Sequence, residues 1–446
     1  MLLRLAAVPL IALPVITALS AAAQSTPDLT QSAQSQLSAL TEIYKHLHEN
    51  PELSRHEEKT AALLAAELRK LGYTVTEHVG KYDDGTQGFG VVALLQNGTG
   101  PRLMLRTDMD ALPVIEKTGL DYASHVTATG ADGQPVGVMH ACGHDLHMTV
   151  LLGVAREMAA RKQKWHGTLM LIGQPAEEGG GGAAAMLADH LYERFGKPDF
   201  VIAEHDYPDY TAGSIAVKGG PLMASSTMIE VTIRGVGAHG SEPQSGKDPI
   251  VLASEFVLAA QTIISRQIDP QQPAVLTVGT IHGGTKSNII PDEVSLGLSL
   301  RSYSMTQRDA ILADIRRTAN GLAEAAGVPA DRMPTVTLGN STPVTYNDPA
   351  LADRVRAAAA AALGNDRVLT AQSVMASEDV GRFSLDGKIP MVMYWLGASD
   401  KDKLAESRKS GVPMPSLHSA LFAPDYPLAI PTGVTAMTAV ALDILK

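Results

Sequence analysis

An α/β fold with a mostly parallel sheet, interrupted by a ferredoxin-like βαββαβ unit, is the architecture the sequence predicts. Two observations carry that prediction. Short apolar runs bounded by Gly and Pro, of the kind that form strands covered on both faces, alternate with longer amphipathic stretches in the first half and again after residue 342. Between these parts the order changes: 225–234 alternates as a strand, 249–266 is helical, 274–281 and 293–301 are strands, 306–326 is helical and 335–338 is a last strand. A complete unit within a chain reads as an insertion, and 446 residues exceed one comfortable core. The expected division is 24–221 and 343–446 for the two parts of the main domain and 222–342 for the inserted one, with 1–23 set apart.

Composition excludes some classes. Lysine and arginine number 36 against 47 aspartates and glutamates, a net charge of -11, and no long basic run exists. That argues against a nucleic-acid partner, and aromatics at 4% leave little for base stacking. Residues 1–23 read as a signal peptide: Arg4, an apolar core over 5–19 broken by Pro9 and Pro14, and Ala21-Ala22-Ala23 before Gln24. An uncleaved anchor is the other reading, for which the apolar run is short. The chain is expected to be exported, periplasmic or secreted. No later apolar stretch approaches twenty residues, so no membrane contact is expected after cleavage.

The elements follow in order. Residues 29–49 place Leu37, Leu40, Ile43, Tyr44 and Leu47 on one helical face, with Pro51 just beyond. A second helix, 60–71, closes at Gly72, and 73–79 alternates as a strand. The β-like runs 90–96 and 103–107 flank an Asn-Gly-Thr-Gly-Pro turn. Asp108 therefore emerges at a strand's carboxyl end, where open α/β sheets place ligands. A strand-terminating turn aspartate is the equally available reading. After the helix 146–160, the buried strand 167–173 runs into Glu177-Glu178 and four glycines. Adjacent carboxylates repel unless a cation or shared proton compensates; a solvated acidic turn is the alternative. The strand 200–203 delivers Glu204-His205-Asp206 to the same edge. Later come a helix at 349–363, β-like residues 367–369, a strand at 389–396, Leu417-His418-Ser419 after a Pro/Ser-rich loop, and a closing helix at 430–445.

The segment Met139-His140-Ala141-Cys142-Gly143-His144-Asp145-Leu146-His147 holds the only cysteine and three of fourteen histidines. A thiolate and an imidazole two residues apart, with a glycine between them to turn the backbone, can face one cation. A buried free cysteine is the bland reading of Cys-x-His alone. A single thiol in an exported protein has no disulfide partner, and metal ligation would protect it. Asp108, Cys142, His144, Glu177, Glu178, His205 and His418 are thus the candidate site residues. A mixed sulfur, nitrogen and oxygen set of this size suits zinc or manganese, two ions sharing one bridging ligand. In the Glu pair, one side chain can ligate while its neighbour serves as base.

Together, Arg106-Thr107-Asp108-Met109-Asp110-Ala111-Leu112-Pro113, the cysteine segment, Gln174 to Glu178 and Ser287-Asn288-Ile289-Ile290-Pro291-Asp292 resemble the M20 metallopeptidase family. Within it they are similar to the amidohydrolase branch of hippurate hydrolases, N-acyl-amino-acid hydrolases and auxin-conjugate hydrolases. The likeness covers essentially everything from His48 to the final helix. It implies a catalytic domain of zinc-peptidase type, with Cys142 as a bridging thiolate and His144, Glu178, His205 and His418 as the other ligands of two divalent ions. It also implies Glu177 as the general base and Asp108 as an aspartate orienting the metal site without ligating. Other branches carry a histidine where this chain has Arg106, and His144 compensates. The inserted unit resembles the family's lid and dimerisation domain, implying a homodimer. His239 there matches a residue that polarises the scissile carbonyl, and Asn288 a substrate-binding one; on residues alone these are a loop histidine and a turn asparagine. Gln244 and Val380 depart from the family pattern and bear on pocket shape. The expected reaction is hydrolysis of the amide bond of N-acyl amino acids, or similar small-molecule conjugates with a free carboxylate, by metal-activated water. A dipeptidase or carboxypeptidase of the same family is the alternative, and a non-catalytic periplasmic binding protein a further one.

Overall fold

Four parallel strands form the spine of the larger sheet, in the spatial order Gly167–Gln174, Arg102–Asp108, Phe200–Thr211 and Met391–Ser399. The computed structural model describes residues 26–130, 133–179 and 181–446. The leader expected over 1–23 lies outside the described residues. The spine strands are apolar on both faces, as Leu103, Met104, Leu105, Leu169 to Ile172 and Val201 to Ala203 are fully buried, because helices cover both sides. One face packs against Leu37–Glu49, His144–Ala160, Pro349–Leu363 and Tyr426–Ile444; the other packs against Gly182–Ala188, Leu191–Phe195 and Asp379–Ser384. Gln87–Asn97 and Thr74–Lys81 extend one edge antiparallel, and Ile215–Val217 with Val368–Thr370 extend the other, for eight strands in all.

The helix expected over 29–49 is two, Thr26–Ser35 and Leu37–Glu49. They part at Gln36, whose amide bonds back three residues to Ala33 O at 3.2 Å. The expectation that no later stretch is long and apolar enough to span a membrane is also corrected. Pro249–Gln267 and Tyr426–Ile444 both qualify by length and composition. The second is a core helix, with 72% of its apolar window buried, whereas only 33% of the first is covered.

The inserted unit carries its own antiparallel sheet, ordered Ala274–Gly283, Glu293–Ser302, Ser225–Arg234, Thr335–Thr342. Pro249–Thr262 and Met305–Ala325 cover one face through Leu252, Phe256, Ile311 and Ile315. Their N-caps, Asp248 and Ser304, each accept a first-turn amide, which explains why these helices start where they do.

Candidate active site

The site is built where the spine strands end. Asp108 closes one strand, Glu177 and Glu178 follow another, and His205 lies within the long strand Phe200–Thr211. Cys142 and His144 come from the turn that starts the helix His144–Ala160. Gly143, between them, has φ 74°, and a Cβ there would lie 2.4 Å from an Asp206 carboxylate oxygen. Only glycine makes this turn. Cys142 Sγ lies 3.5 Å from His205 Nε2 and 3.3 Å from His418 Nε2. His418, itself at φ 66°, stands 3.2 Å from Glu178 Oε1. Two triplets result, Cys142/His144/His205 and Cys142/Glu178/His418, each with its donor atoms within 4.8 Å of one another. They share the thiol.

Outer bonds aim the rings. His144 Nδ1 lies 2.7 Å from the Asp110 carbonyl, and His205 Nδ1 2.7 Å from that of Asp206. A carbonyl only accepts, so both Nδ1 atoms carry a proton, which leaves Nε2 as the atom each ring would offer a ligand. His144 Nε2 is buried with no hydrogen-bond partner. Burial, then the carboxylates of Glu178 and Glu177, push the Cys142 thiol well above its usual range. An orphaned imidazole nitrogen and a thiol ringed by carboxylates fit a divalent cation, whose charge lets the thiolate form. The donor set therefore fits two divalent ions, with Cys142 the donor common to both triplets.

Glu177 lines the same cleft. Ala176 before it sits at φ 48°, and the Glu177 and Glu178 amides donate to Asp110 Oδ1 at 3.0 Å and Oδ2 at 2.9 Å. Burial, helped by Glu378 and Glu178, raises the Glu177 carboxyl well above the usual carboxylate range. A carboxylate whose affinity for a proton is raised is a stronger base than a free one, which suits acid–base work.

Asp108 bonds His147 Nδ1 at 2.7 Å and Arg106 at 2.6 Å, and stands 3.7 Å from His144 Nε2. His147 Nε2 in turn accepts the Asp206 amide at 2.9 Å, so this histidine ties the end of one strand to the middle of another. Arg106 is 1% exposed and also bonds Glu378 at 2.7 Å and Gln174 at 2.9 Å. Its charge offsets the buried carboxylates of Asp108, Glu378 and Asp379. Glu378 lines the cleft and was not a candidate, since its partner lies 272 residues away. Asp145 pairs with His48 at 2.7 Å, which also meets Glu116 at 3.1 Å. Burial opposes a charge on His48, yet Asp145 and Glu116 raise it to about 10. His140 is buried with neither ring nitrogen partnered, and burial lowers it to about 4, leaving a neutral ring.

His239 and Asn288 are not brought to this cleft. Both are exposed, on the short pairing of Ala238–His239 with Ile289–Ile290, where Gly240 N donates to Asn288 O at 2.8 Å. Gln244 is exposed nearby, while Val380 is buried in the core under the cleft.

The cleft encloses about 910 Å³ between the two domains. Tyr207, Trp395, Leu404, Met414 and Leu417 give it apolar surface, and Arg301 comes from the inserted sheet. The Arg301 guanidinium bonds only Ser377 Oγ at 3.0 Å and the Met375 carbonyl at 3.4 Å. Among the described residues no carboxylate pairs with it.

Comparison with known proteins adds to this geometry. The family model described as peptidase family M20/M25/M40 matches residues 104–420. A hippurate hydrolase from Campylobacter jejuni is 38% identical over 343 residues, 76% of this chain and 84% of that protein. A thermostable carboxypeptidase from Saccharolobus solfataricus is 35% identical over 367 residues, 82% of this chain and 87% of its own length. Among solved structures, a dinuclear metal-binding peptidase from Bacillus subtilis superposes with a TM-score of 0.73 at 27% identity, covering 92% of this chain and 99% of that one.

Proposed function

The chain belongs to peptidase family M20/M25/M40, and from that premise we propose that its metal-dependent amide hydrolysis is directed at N-acyl amino acids with a free carboxylate. Arg301 carries this reading. A half-buried guanidinium in the cleft that forms no ion pair with a carboxylate among the described residues is suited to one brought by a substrate.

Cys142, His144, Glu178, His205 and His418 would hold two divalent ions, and their mixed thiolate, imidazole and carboxylate donors favour zinc or manganese. Such ions supply Lewis acidity to water and to the scissile carbonyl. Glu177 takes the proton of the attacking water and returns it to the leaving amine. The raised affinity of its carboxyl for a proton suits both halves of that task. Arg301 holds the carboxylate of the amino-acid half, and the Tyr207–Trp395 wall, with rings 4.6 Å apart, receives the acyl half.

Replacing Arg301 with Met is expected to raise KM for N-acyl amino acids about 10- to 100-fold, the range for losing a hydrogen bond to a charged group. Hydrolysis of the matching N-acyl amino-acid amides, which lack the carboxylate, should change little. An equal loss on both substrates would sink the assignment. The carboxypeptidase reading shares the free carboxylate, so it is separated by turnover: N-acyl amino acids should outpace unblocked dipeptides.

His239 enters through a second copy in this proposal. The helix Pro249–Thr262 exposes Val251 at 53% and Leu258 at 72%, and the unpaired edge strand Ala274–Gly283 exposes Val275 at 40% and Ile281 at 51%. An apolar helix face beside a free strand edge suits pairing with another copy of itself. Chains carrying Glu177→Gln and chains carrying His239→Ala should each be inactive alone. Denatured together and refolded at equal amounts, they should regain about a quarter of wild-type activity, since half the dimers are mixed and each has one complete site. A mixture that stays inactive would place His239 outside a shared site.

A further inference from the structure

Two buried carboxylates that do not line the cleft hold the loop that carries the base. Asp110 is 1% exposed and Glu57 is 0% exposed. Asp110 receives the amides of Glu177 on Oδ1 and Glu178 on Oδ2, with the Ser54 hydroxyl also on Oδ2. Glu57 takes two amides on one oxygen, Oε1: Arg55 at 2.9 Å and Ala176 at 2.7 Å. Both of those residues stand in the left-handed region, at φ 68° and φ 48°, which side chains disfavour. The turn and the loop also touch directly, since a Cβ on Gly179 would lie 2.6 Å from Ser54 Cβ. These bonds hold the backbone at Ala176, from which Glu177 and Glu178 both reach the cleft.

We propose that Asp110 and Glu57 are positioning residues, which through three amides of the loop and one of the turn beside it fix the loop from which Glu177 reaches the substrate and Glu178 the metal. The proposal rests on Glu177 acting as base, and it makes an asymmetric prediction. Glu57 uses a single oxygen for both amides, so a glutamine carbonyl can replace it. Asp110 uses both oxygens, and an asparagine would turn its NH2 group toward one of the amides.

The test is amide exchange by mass spectrometry on the metal-free full-length protein, together with steady-state kinetics and metal analysis on the reloaded enzyme. Asp110→Asn should speed exchange of the 176–178 amides about tenfold or more. It should lower kcat about 100-fold with KM within about threefold, the pattern of a displaced base rather than a lost substrate contact. Glu57→Gln should stay within about threefold on both readouts, while Glu57→Ala should follow Asp110→Asn. Unchanged exchange in Asp110→Asn overturns the proposal. So do equal losses in Asp110→Asn and Glu57→Gln, because charge rather than bond direction would then matter. Should Asp110→Asn fail to fold, Ser54→Ala removes one bond to Asp110 Oδ2 and should speed exchange of the Glu178 amide; no change there is equally fatal. A Glu177→Gln enzyme that kept its turnover would overturn the base assignment while leaving the exchange contrast standing, so the two failures can be told apart.

Discussion

Glu177→Gln should leave about as much metal per chain as wild type and lower kcat about 1,000-fold or more, within the range general acid–base groups supply and extended here because one residue serves two proton transfers. The side chain belongs to the cleft but to neither donor triplet described above, so its loss removes no proposed ligand. Its amide, which anchors to Asp110 Oδ1, survives the substitution. Burial beside Glu378 and Glu178 raises the wild-type carboxyl, and a neutral amide of the same shape relieves that repulsion. The variant should therefore be at least as thermally stable as the parent. Elemental analysis, kcat on an N-acyl amino acid and a melting curve on one preparation check all three points. Retained turnover would remove Glu177 from the chemistry.

Cys142→Ala should act in the opposite order, on metal first. Sγ is the donor common to both triplets, 3.5 Å from one histidine and 3.3 Å from the other. Without it each group keeps two donors, and two nearby cations lose the negative charge that screens them from one another. Elemental analysis should find about two ions per wild-type chain and no more than about one in the variant. The rise in Tm on adding metal to the stripped protein, which follows from binding to the native state alone, should shrink accordingly. An unchanged ratio would show that the thiol is not a ligand.

These expectations trace to features of unequal visibility in the sequence. Cys142, His144, Glu177, Glu178 and His205 were legible because donor-type side chains follow apolar strands or a glycine turn; His418, after a Pro/Ser-rich loop, carried no such mark, and the structure brings it to Cys142. The parallel spine was legible for a related reason: strands buried on both faces read as continuous apolar runs. The antiparallel edge formed by Thr74–Lys81 and Gln87–Asn97 was not, since pairing direction leaves no mark on such runs. Arg106 is fully buried because of Glu378, and no local pattern announces a partner 272 residues distant. Glu57 and Asp110 were overlooked because what they bind is backbone, which has no residue type. His239 shows the limit of a motif, which names a residue without saying which cleft it serves.

The thiol and its histidine partner also have a temporal meaning. Cys142 and His418 are 276 positions apart, with the whole inserted domain between them. A chain folding from its N-terminus can complete its first sheet strands, the cysteine turn and the inserted domain while one metal site still lacks a donor. Contacts of such long sequence separation close late. If both residues ligate as proposed, full metal capture would wait for the last segment. On that reading, metal binding would report that the two ends of this long separation have met.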